Sequence, residues 1–329
     1  MWYITAYPAR VSNATTDHRT PDLDVVVVLF HADPELFRRC VGSVVTAASR
    51  AAVVVRLVLV DNGGPVPSVP PLGPSGPGVV RTGTGRNVGF GRAVNAAMEV
   101  VRAGRVLLLN PDAELTPDAL RAFLRAAERH PRALLAGTVL TDGRLDPDAV
   151  IDWDSSVERL VRRWVSRHRV RESVSGAAQG AAVVPVAKAS GGALAADAGL
   201  LRRLGPFDER FFLYAEDADL SRRARRAGIE VLRVVCAEVH HVGSASARSH
   251  AALVEFARAD AAVRVTAVHR GHLVSLVQRV ELLVVTTLGM ALERDRAARS
   301  ARGARLRALR RWGVRREAPP VGPADLHRG

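Results

Sequence analysis

The sequence predicts an α/β fold, a sheet with helices on its faces, and three observations carry that prediction. Runs of β-branched and aliphatic residues, such as Asp24–Phe30 and Val53–Val60, end abruptly in polar residues. Between them Leu36, Phe37, Cys40, Val41, Val44 and Val45 recur at helical spacing. Strand, helix, strand, with polar side chains where each strand stops, is the opening of a parallel sheet. Beyond residue 250 the pattern changes to two long amphipathic helices, Ala251–Arg270 and Leu273–Leu292, which predict a C-terminal helical extension that either completes the globule or lies on a membrane with the arginine-rich segment beside it.

Taken in order, residues 1–22 mix Asn, Thr, Asp, His and Pro without an apolar core, so they read as a flexible arm and not as a signal peptide. The first strand is continuous in apolar residues and therefore buried on both faces; Asp33 caps the helix that starts at Pro34. The second strand runs into Asp61-Asn62-Gly63-Gly64. Val66–Gly78 is a loop rich in Pro and Gly, Val79-Val80 a short strand, and Gly83–Ala97 a glycine-rich turn feeding a helix. Gly85, Gly89 and Gly91 resemble a phosphate cradle, but they follow a third strand and not the first, which argues against a dinucleotide-binding oxidoreductase. The run Arg105–Leu109 enters Asn110-Pro111-Asp112, and Thr116 is expected to cap a helix over Pro117–His130. A strand over Ala133–Leu140 closes the first half, and Thr141–Arg171 reads as a variable insertion. Ser190-Gly191-Gly192 opens the second half, with a strand and a short helix, Ala198–Leu204. Glu216, Asp217 and Asp219 begin a helix that Gly228 ends, and the strand Ile229–Val235 leads towards His240 and His241.

A hydrophobic content of 48% excludes a disordered chain. The 47 basic residues include a single lysine, Lys188, a bias that lowers the information in any one arginine. Much of the net charge of +14 is local: ten arginines lie between Arg294 and Arg316 against Asp295 alone, an excess of nine. Such a segment suits anionic lipid, nucleic acid, or solubility only. Cys40 and Cys236 form no motif, so a reducing, cytoplasmic setting is expected. The longest apolar stretch, Leu273–Leu292, is interrupted by Gln278, Arg279 and Glu281, and no membrane-spanning helix is expected.

Two places carry chemistry. Asp112 follows a buried strand, and in open α/β sheets ligands gather beyond the carboxyl ends of strands. With Asn110 it offers two oxygens on a tight turn, a set that suits Mg²⁺ or Mn²⁺ and through it a diphosphate; the same residues are also ordinary turn formers. Glu216, Asp217 and Asp219 sit in a first helical turn, where acids ordinarily contribute ~0.3 to 1 kcal/mol each through the helix dipole. That accounts for one or two of them. It does not account for their place behind Phe211-Phe212-Leu213-Tyr214, a wall that desolvates a carboxylate and makes it more basic. His240 and His241 are open as ligand, base or packing.

Four blocks occur in one order: Val60-Asp61-Asn62-Gly63; Asn87-Val-Gly-Phe-Gly-Arg-Ala-Val-Asn95; Leu109-Asn110-Pro111-Asp112; and Gly205-Pro-Phe-Asp-Glu-Arg-Phe-Phe-Leu-Tyr-Ala-Glu216-Asp217-Ala-Asp219. A fifth, weaker block is His240-His241-Val-Gly-Ser-Ala-Ser246. Together they resemble the inverting glycosyltransferases of family 2, with the GT-A fold, a Rossmann-like mixed sheet flanked by helices, and within them the bacterial rhamnosyltransferase-like branch. The resemblance spans Asp24 to Ser246. It implies one glycosyltransferase domain over 23–248, with a nucleotide-sugar half (23–140) and an acceptor half (175–248), then helices over 249–293 and an arginine-rich tail over 294–329.

By the same resemblance Asp61 meets the pyrimidine base, and Asn87, Gly89, Asn95 and Asn110 hold the rest of the donor. Asp112 is the ligand of a divalent metal, Mg²⁺ or Mn²⁺, and either His240 or His241 completes the metal or diphosphate contacts. Asp217 is the general base, Glu216 and Asp219 shape the acceptor site or cap the helix, and Ser190, Gly191 and Gly192 line the acceptor entrance. Two departures stand out. Asn110 replaces the first acid of an Asp-x-Asp pair, implying a looser metal site, and Phe30-His31 stands where relatives often have Tyr-Asn.

The implied function is transfer of a sugar such as rhamnose, from a dTDP- or UDP-sugar, onto a cell-envelope glycan or polyprenyl-linked acceptor. The expected location is the cytoplasm, or the inner face of the plasma membrane if the tail meets anionic lipid. Two alternatives stay open: the same chemistry on a soluble natural product or peptide, and a non-catalytic protein binding nucleotide sugar or nucleic acid. No aromatic interleaving or recognition motif accompanies the basic tail, so nucleic acid is not an expected partner.

Overall fold

A computed structural model describes residues 12–14, 20–70, 72, 78–146, 149, 152–153, 182–241, 251–314 and 316–321. Most of the variable insertion therefore lies outside the described residues. The strands are β1 (Ser12–Ala14), β2 (Leu23–Leu29), β3 (Val55–Asp61), β4 (Gly78–Gly83), β5 (Arg105–Leu109), β6 (Ala113–Leu115), β7 (Ala133–Thr141), β8 (Arg144–Leu145), β9 (Val183–Pro185), β10 (Ala193–Asp197) and β11 (Glu230–His241). They form one mixed sheet in the order β1-β4-β3-β2-β5-β10-β7-β11-β6, with β8 on β7 and β9 on β11. The opening of the sheet is parallel as expected, β2 pairing with β3 and β5 and β3 with β4. β10 then enters antiparallel between β5 and β7, which joins the two halves into a single sheet.

Every residue of β2 is buried, because helices cover both faces of the sheet. Val25, Val27 and Leu29 pack with α1 (Pro34–Ala51) and α3 (Ala119–Arg129). Val26 and Val28 face α2 (Phe90–Met98), α4 (Ala198–Leu204) and α5 (Glu216–Arg226). α1 starts where its cap predicts: Asp33 Oδ1 accepts from the N–H groups of Glu35 at 2.9 Å and Leu36 at 3.0 Å.

Several expectations are corrected. Residues 12–14 of the arm are a strand, antiparallel to β4. The helix expected from Pro117 begins at Ala119 with Asp118 as its cap, because Ala113–Leu115 pairs with β11 and Thr116 donates to the Glu238 carbonyl at 3.1 Å. β11 does not stop at Val235 but runs on through His241, with an irregularity between Arg233 and Glu238 in its pairing with β7. The arginine-rich stretch is not simply a tail: Arg296–Arg310 is a helix, α8, packed on α6 (Ala251–Arg270) and α7 (His272–Leu292). Leu309 and Trp312 are buried with Phe256 and Val263 of α6. Arg264 and Asp260 form a two-pronged ion pair there, and Trp312 Nε1 donates to Asp260 at 3.1 Å. Finally, α7 is long and apolar enough to cross a membrane by length and composition, with a mean hydropathy of 1.5 in spite of its polar interruptions.

Candidate functional site

The ends of β5, β7 and β11 and the turns after β3 and before α5 enclose a cavity of about 1060 Å³. Ligand sites commonly occupy ~300 to 1,000 Å³, so there is room for a sizeable ligand or for two that meet. Asp112 and Asp217 both open into it. They come from opposite halves of the chain, which β10, between β5 and β7, and β11, between β7 and β6, bring together.

On the first side, Asn110-Pro111-Asp112 is the turn between β5 and β6. The backbone N–H of Asn110 donates to the Gly192 carbonyl at 3.1 Å, so the turn is anchored to the second half. Pairing of β6 with β11 sets His241 opposite Ala113 and His240 opposite Glu114. Side chains alternate along a strand, and only one of the two histidines can face the cavity. It is His241: its Nε2 lies 3.1 Å from Asp112 Oδ1, whereas His240 is exposed and does not line the cavity. The hydrogen bond to Asp112 pushes the His241 imidazole above its ordinary value, against the opposing effect of burial.

Among the described residues no group of three His, Cys, Asp or Glu side chains is placed to hold a metal ion. The cavity does place one carboxylate and one imidazole together, Asp112 and His241, a pair that would leave most positions of a divalent cation to water and phosphate oxygens. Both are about one-fifth exposed towards the cavity, with Asn110 beside them in its wall.

The donor-side residues divide. Asn87 and Gly89 line the cavity. Asn87 Oδ1 accepts from the Gly89 N–H at 3.1 Å, which shapes the turn into α2. Gly89 has φ of +92°, and a Cβ there would stand 2.1 Å from the Phe212 carbonyl oxygen. The glycine thus lets the start of α2 touch the turn that carries the acids; the Phe90 N–H donates to that same carbonyl at 2.9 Å. Asp61 and Asn95 are not in the cavity wall. The Asp61 carboxylate turns back to the Gly63 N–H at 3.0 Å. Asn95 clasps the Phe207 backbone, donating to its carbonyl at 2.9 Å and accepting from its N–H at 3.0 Å. Asn62, in the same block as Asp61, does line the cavity, accepting from the Val88 N–H at 2.9 Å.

On the second side, Ser190, Gly191 and Gly192 are in the wall. A Cβ on Gly191 would be 2.8 Å from the Phe90 ring, so this turn too packs across the junction of the halves. The acids follow Tyr214 and Ala215, both non-glycine residues at positive φ, +70° and +62°. Such geometry costs of order 1 to 3 kcal/mol and persists only where surroundings impose it. Here Phe211, Phe212 and Ala215 are buried, and Arg258 lies 5.0 Å over the Tyr214 ring.

Glu216 and Asp217 are both buried and both line the cavity, yet they differ in partners. Lys188 Nζ is 3.4 Å from Asp217 Oδ2, and Asp217 Oδ1 accepts from the Ala218 N–H at 2.7 Å. Glu216 Oε2 has no hydrogen-bond partner. Burial, and then the charge on Asp217, push the Glu216 carboxyl up to about 8. One acid of the pair is therefore held neutral near pH 7, while the cation stands at the other. Asp219 is different again: it is 1% exposed and outside the cavity wall, bonded to Arg223 at 2.8 Å and His269 at 2.9 Å, so it ties α5 to α6.

Lys188 was given no role by the sequence, although being the only lysine in an arginine-rich chain was a usable signal. Its neighbour Ala189 is fixed by an N–H bond to Ser221 Oγ at 3.0 Å on α5. The extension also contributes: Leu253, Arg258, Gln278, Glu281, Leu282 and Arg305 reach the cavity wall.

The sequence pattern described as Glycosyl transferase family 2 matches residues 24–168. Over 260 residues the chain is 30% identical to an N-acetylglucosaminyl-diphospho-decaprenol L-rhamnosyltransferase of Mycobacterium tuberculosis, in strains CDC 1551 / Oshkosh and ATCC 25618 / H37Rv alike. That alignment covers 70% of this chain and 80% of the relative. Among solved structures, GalNAc-T7 with UDP, GalNAc and Mn²⁺ superposes with a TM-score of 0.49 at 15% identity, covering 68% of this chain but only 44% of that one. S. aureus TarS 1-349 superposes with a TM-score of 0.46 at 12% identity, covering 72% and 65%. By its match to the mycobacterial relative over most of that protein's length, this chain belongs to glycosyl transferase family 2, as a glycosyltransferase with the GT-A arrangement of a mixed sheet flanked by helices.

Proposed function

We propose that the protein transfers a sugar, rhamnose in the reading favoured here, from a dTDP- or UDP-sugar to a polyprenyl-diphosphate-linked glycan of the cell envelope, with inversion. The observation that carries the reading is the single cavity into which Asp112 and Asp217 open from opposite halves. The printed name of the mycobacterial relative supports L-rhamnose as the sugar and a lipid-linked N-acetylglucosamine as the acceptor class.

In this mechanism Asn62, Asn87 and the start of α2 hold the donor, and Asp112 with His241 would hold a divalent cation. When bound, that cation offsets the charge that builds on the departing diphosphate. Asp217 takes the proton from the acceptor hydroxyl as its oxygen attacks the anomeric carbon on the face away from the nucleotide. The bond to the diphosphate oxygen breaks in the same displacement. Lys188, 3.4 Å from Asp217, holds that carboxylate in place for the proton transfer. Glu216, neutral at its side, is free to donate a hydrogen bond to the acceptor. Ser190-Gly191-Gly192 borders the acceptor entrance. Transfer takes place at the membrane that carries the lipid-linked acceptor.

Replacing Asp217 with Asn tests the assignment. The expected outcome is loss of transfer by ~10² to 10⁴-fold, the usual contribution of a general base, with donor affinity retained in a thermal-shift titration. Unchanged transfer removes Asp217 from the mechanism.

A further inference from the structure

Helix α7 is built inside out. Leu273 and Leu292 at its ends are more than four-fifths exposed, and Val277, Val280, Val284, Val285 and Leu288 between them are each more than half exposed. At 100° per residue Leu273, Val277, Val280, Val284 and Leu288 make one stripe, which Val285 and Leu292 widen around the half-buried Glu281. Inward, only Leu282 and Leu283 pack, half-buried, on the apolar core of the extension, and the fully buried positions are polar. Ser275, Gln278 and Thr286 are buried, and Gln278 Oε1 and Thr286 Oγ1 have no hydrogen-bond partner. A helix on a water-facing surface has the opposite arrangement.

What covers this stripe is indicated by charge. Two residues past its last leucine begins the run of ten arginines between Arg294 and Arg316, of which Arg294, Arg296, Arg299, Arg307 and Arg310 are exposed. A second copy of the chain meeting on the same stripe would bring two such cationic segments together. A surface that is apolar in depth and anionic at its rim fits both features at once, and that is a bilayer with acidic headgroups. The helix cannot pass through the bilayer while its inner face is taken. Arg279 donates to the carbonyls of Trp312 and Gly313, the latter at 3.0 Å, and α6 and α8 pack along it.

We propose that α7 lies in the plane of an anionic membrane surface, its outer stripe among the upper acyl chains and the neighbouring arginines on the phosphates. Gln278, Glu281 and Leu282 of the same helix belong to the cavity wall, so this placement sets the cavity beside the lipid surface. That lipid-borne acceptors enter there rests on the transferase reading; the docking does not.

The test uses the full chain and flotation with vesicles of phosphatidylglycerol and phosphatidylcholine, against phosphatidylcholine alone. Binding to the anionic vesicles is expected, with at least a tenfold loss in the variant Val277→Ser/Val280→Ser/Val284→Ser/Leu288→Ser. A separate Val284→Trp variant should be quenched by lipids brominated on the upper acyl chain, which tests the same face without removing it. Flotation that survives the quadruple substitution, or a tryptophan that stays unquenched, overturns the proposal. So does resistance to alkaline extraction, the mark of a spanning helix, or a lipid-free dimer that the quadruple substitution makes monomeric. Transfer to a water-soluble, short-chain acceptor is measured in parallel. Its retention in a quadruple variant that no longer floats supports the docking role. Flotation of the parent chain without transfer to either acceptor counts against the transferase reading and leaves the docking supported.

Discussion

The pair Glu216-Asp217 shows how neighbouring, chemically similar side chains acquire different surroundings. Lys188 stands 3.4 Å from Asp217, and both side chains are largely removed from water. A hydrogen bond to a charged group contributes ~1.5 to 3 kcal/mol, so Lys188→Met should lower kcat by on the order of 10- to 100-fold while donor affinity holds. Single-turnover and donor-binding measurements separate the two. Glu216 carries the opposite signature. Its carboxyl is raised by burial to about 8, above the ordinary 4.5, so the fold takes up a proton there. The contribution of such a group is fully present below the unfolded value and is lost as pH rises through the folded one. Glu216→Gln, which mimics the neutral acid, should therefore leave stability near pH 5 little changed. Near pH 9 it should raise stability by on the order of a few kcal/mol. Urea unfolding at both values decides it: parallel pH profiles for variant and parent would mean that Glu216 is not held neutral.

At the scale of elements, two junctions matter. The first is the contact of α2 with the acidic turn. Gly89→Ala would add a Cβ 2.1 Å from the Phe212 carbonyl oxygen at a backbone φ of +92°. A cost of ~1 to 3 kcal/mol from the backbone alone is expected, together with displacement of the turn bearing Glu216 and Asp217. Activity should fall further than the melting temperature predicts. The second is the pairing of β6 with β11, which points His241 at Asp112 and His240 away. His241→Ala should weaken activation by Mn²⁺ by on the order of 10-fold or more, and His240→Ala should leave it within twofold. Metal titration of chelator-treated protein reads both; an equal effect of the two substitutions would contradict the register.

Over the whole molecule, the C-terminal extension is part of the enzyme's body and of its site. Arg305 of α8 reaches the cavity wall, while Leu309 and Trp312 are buried against α6. Ending the chain after Leu292 exposes those partners and leaves the buried Asp260 without the Trp312 N–H. Each large side chain lost from such a core contributes ~1.5 to 3 kcal/mol. The truncated protein is expected to lose several kcal/mol of stability and most of its activity, even with a soluble acceptor. A truncation that keeps melting temperature and activity would show the extension to be dispensable.

Much was legible in the residues themselves. The strands β2, β3 and β5, the Asp33 cap, the helix Ala198–Leu204 and the turn at Asp112 follow from local pattern, since burial on two faces and helix capping each leave marks within a few positions. The order of motif blocks carried the family, because each block is a short stretch that builds a turn at the cavity or next to it. Which acid has the lysine beside it, which histidine faces the cavity, why Asp219 and Asn95 stand outside the cavity wall, and that α7 turns an apolar stripe outward were decided only in three dimensions. Each depends on residues distant in the chain: Lys188 for Asp217, β6 for His241, His269 for Asp219, Phe207 for Asn95, and α6 with α8 for α7. A sequence specifies periodicity and chemical type position by position, whereas charge partners and exposed faces are properties of what the folded chain brings alongside.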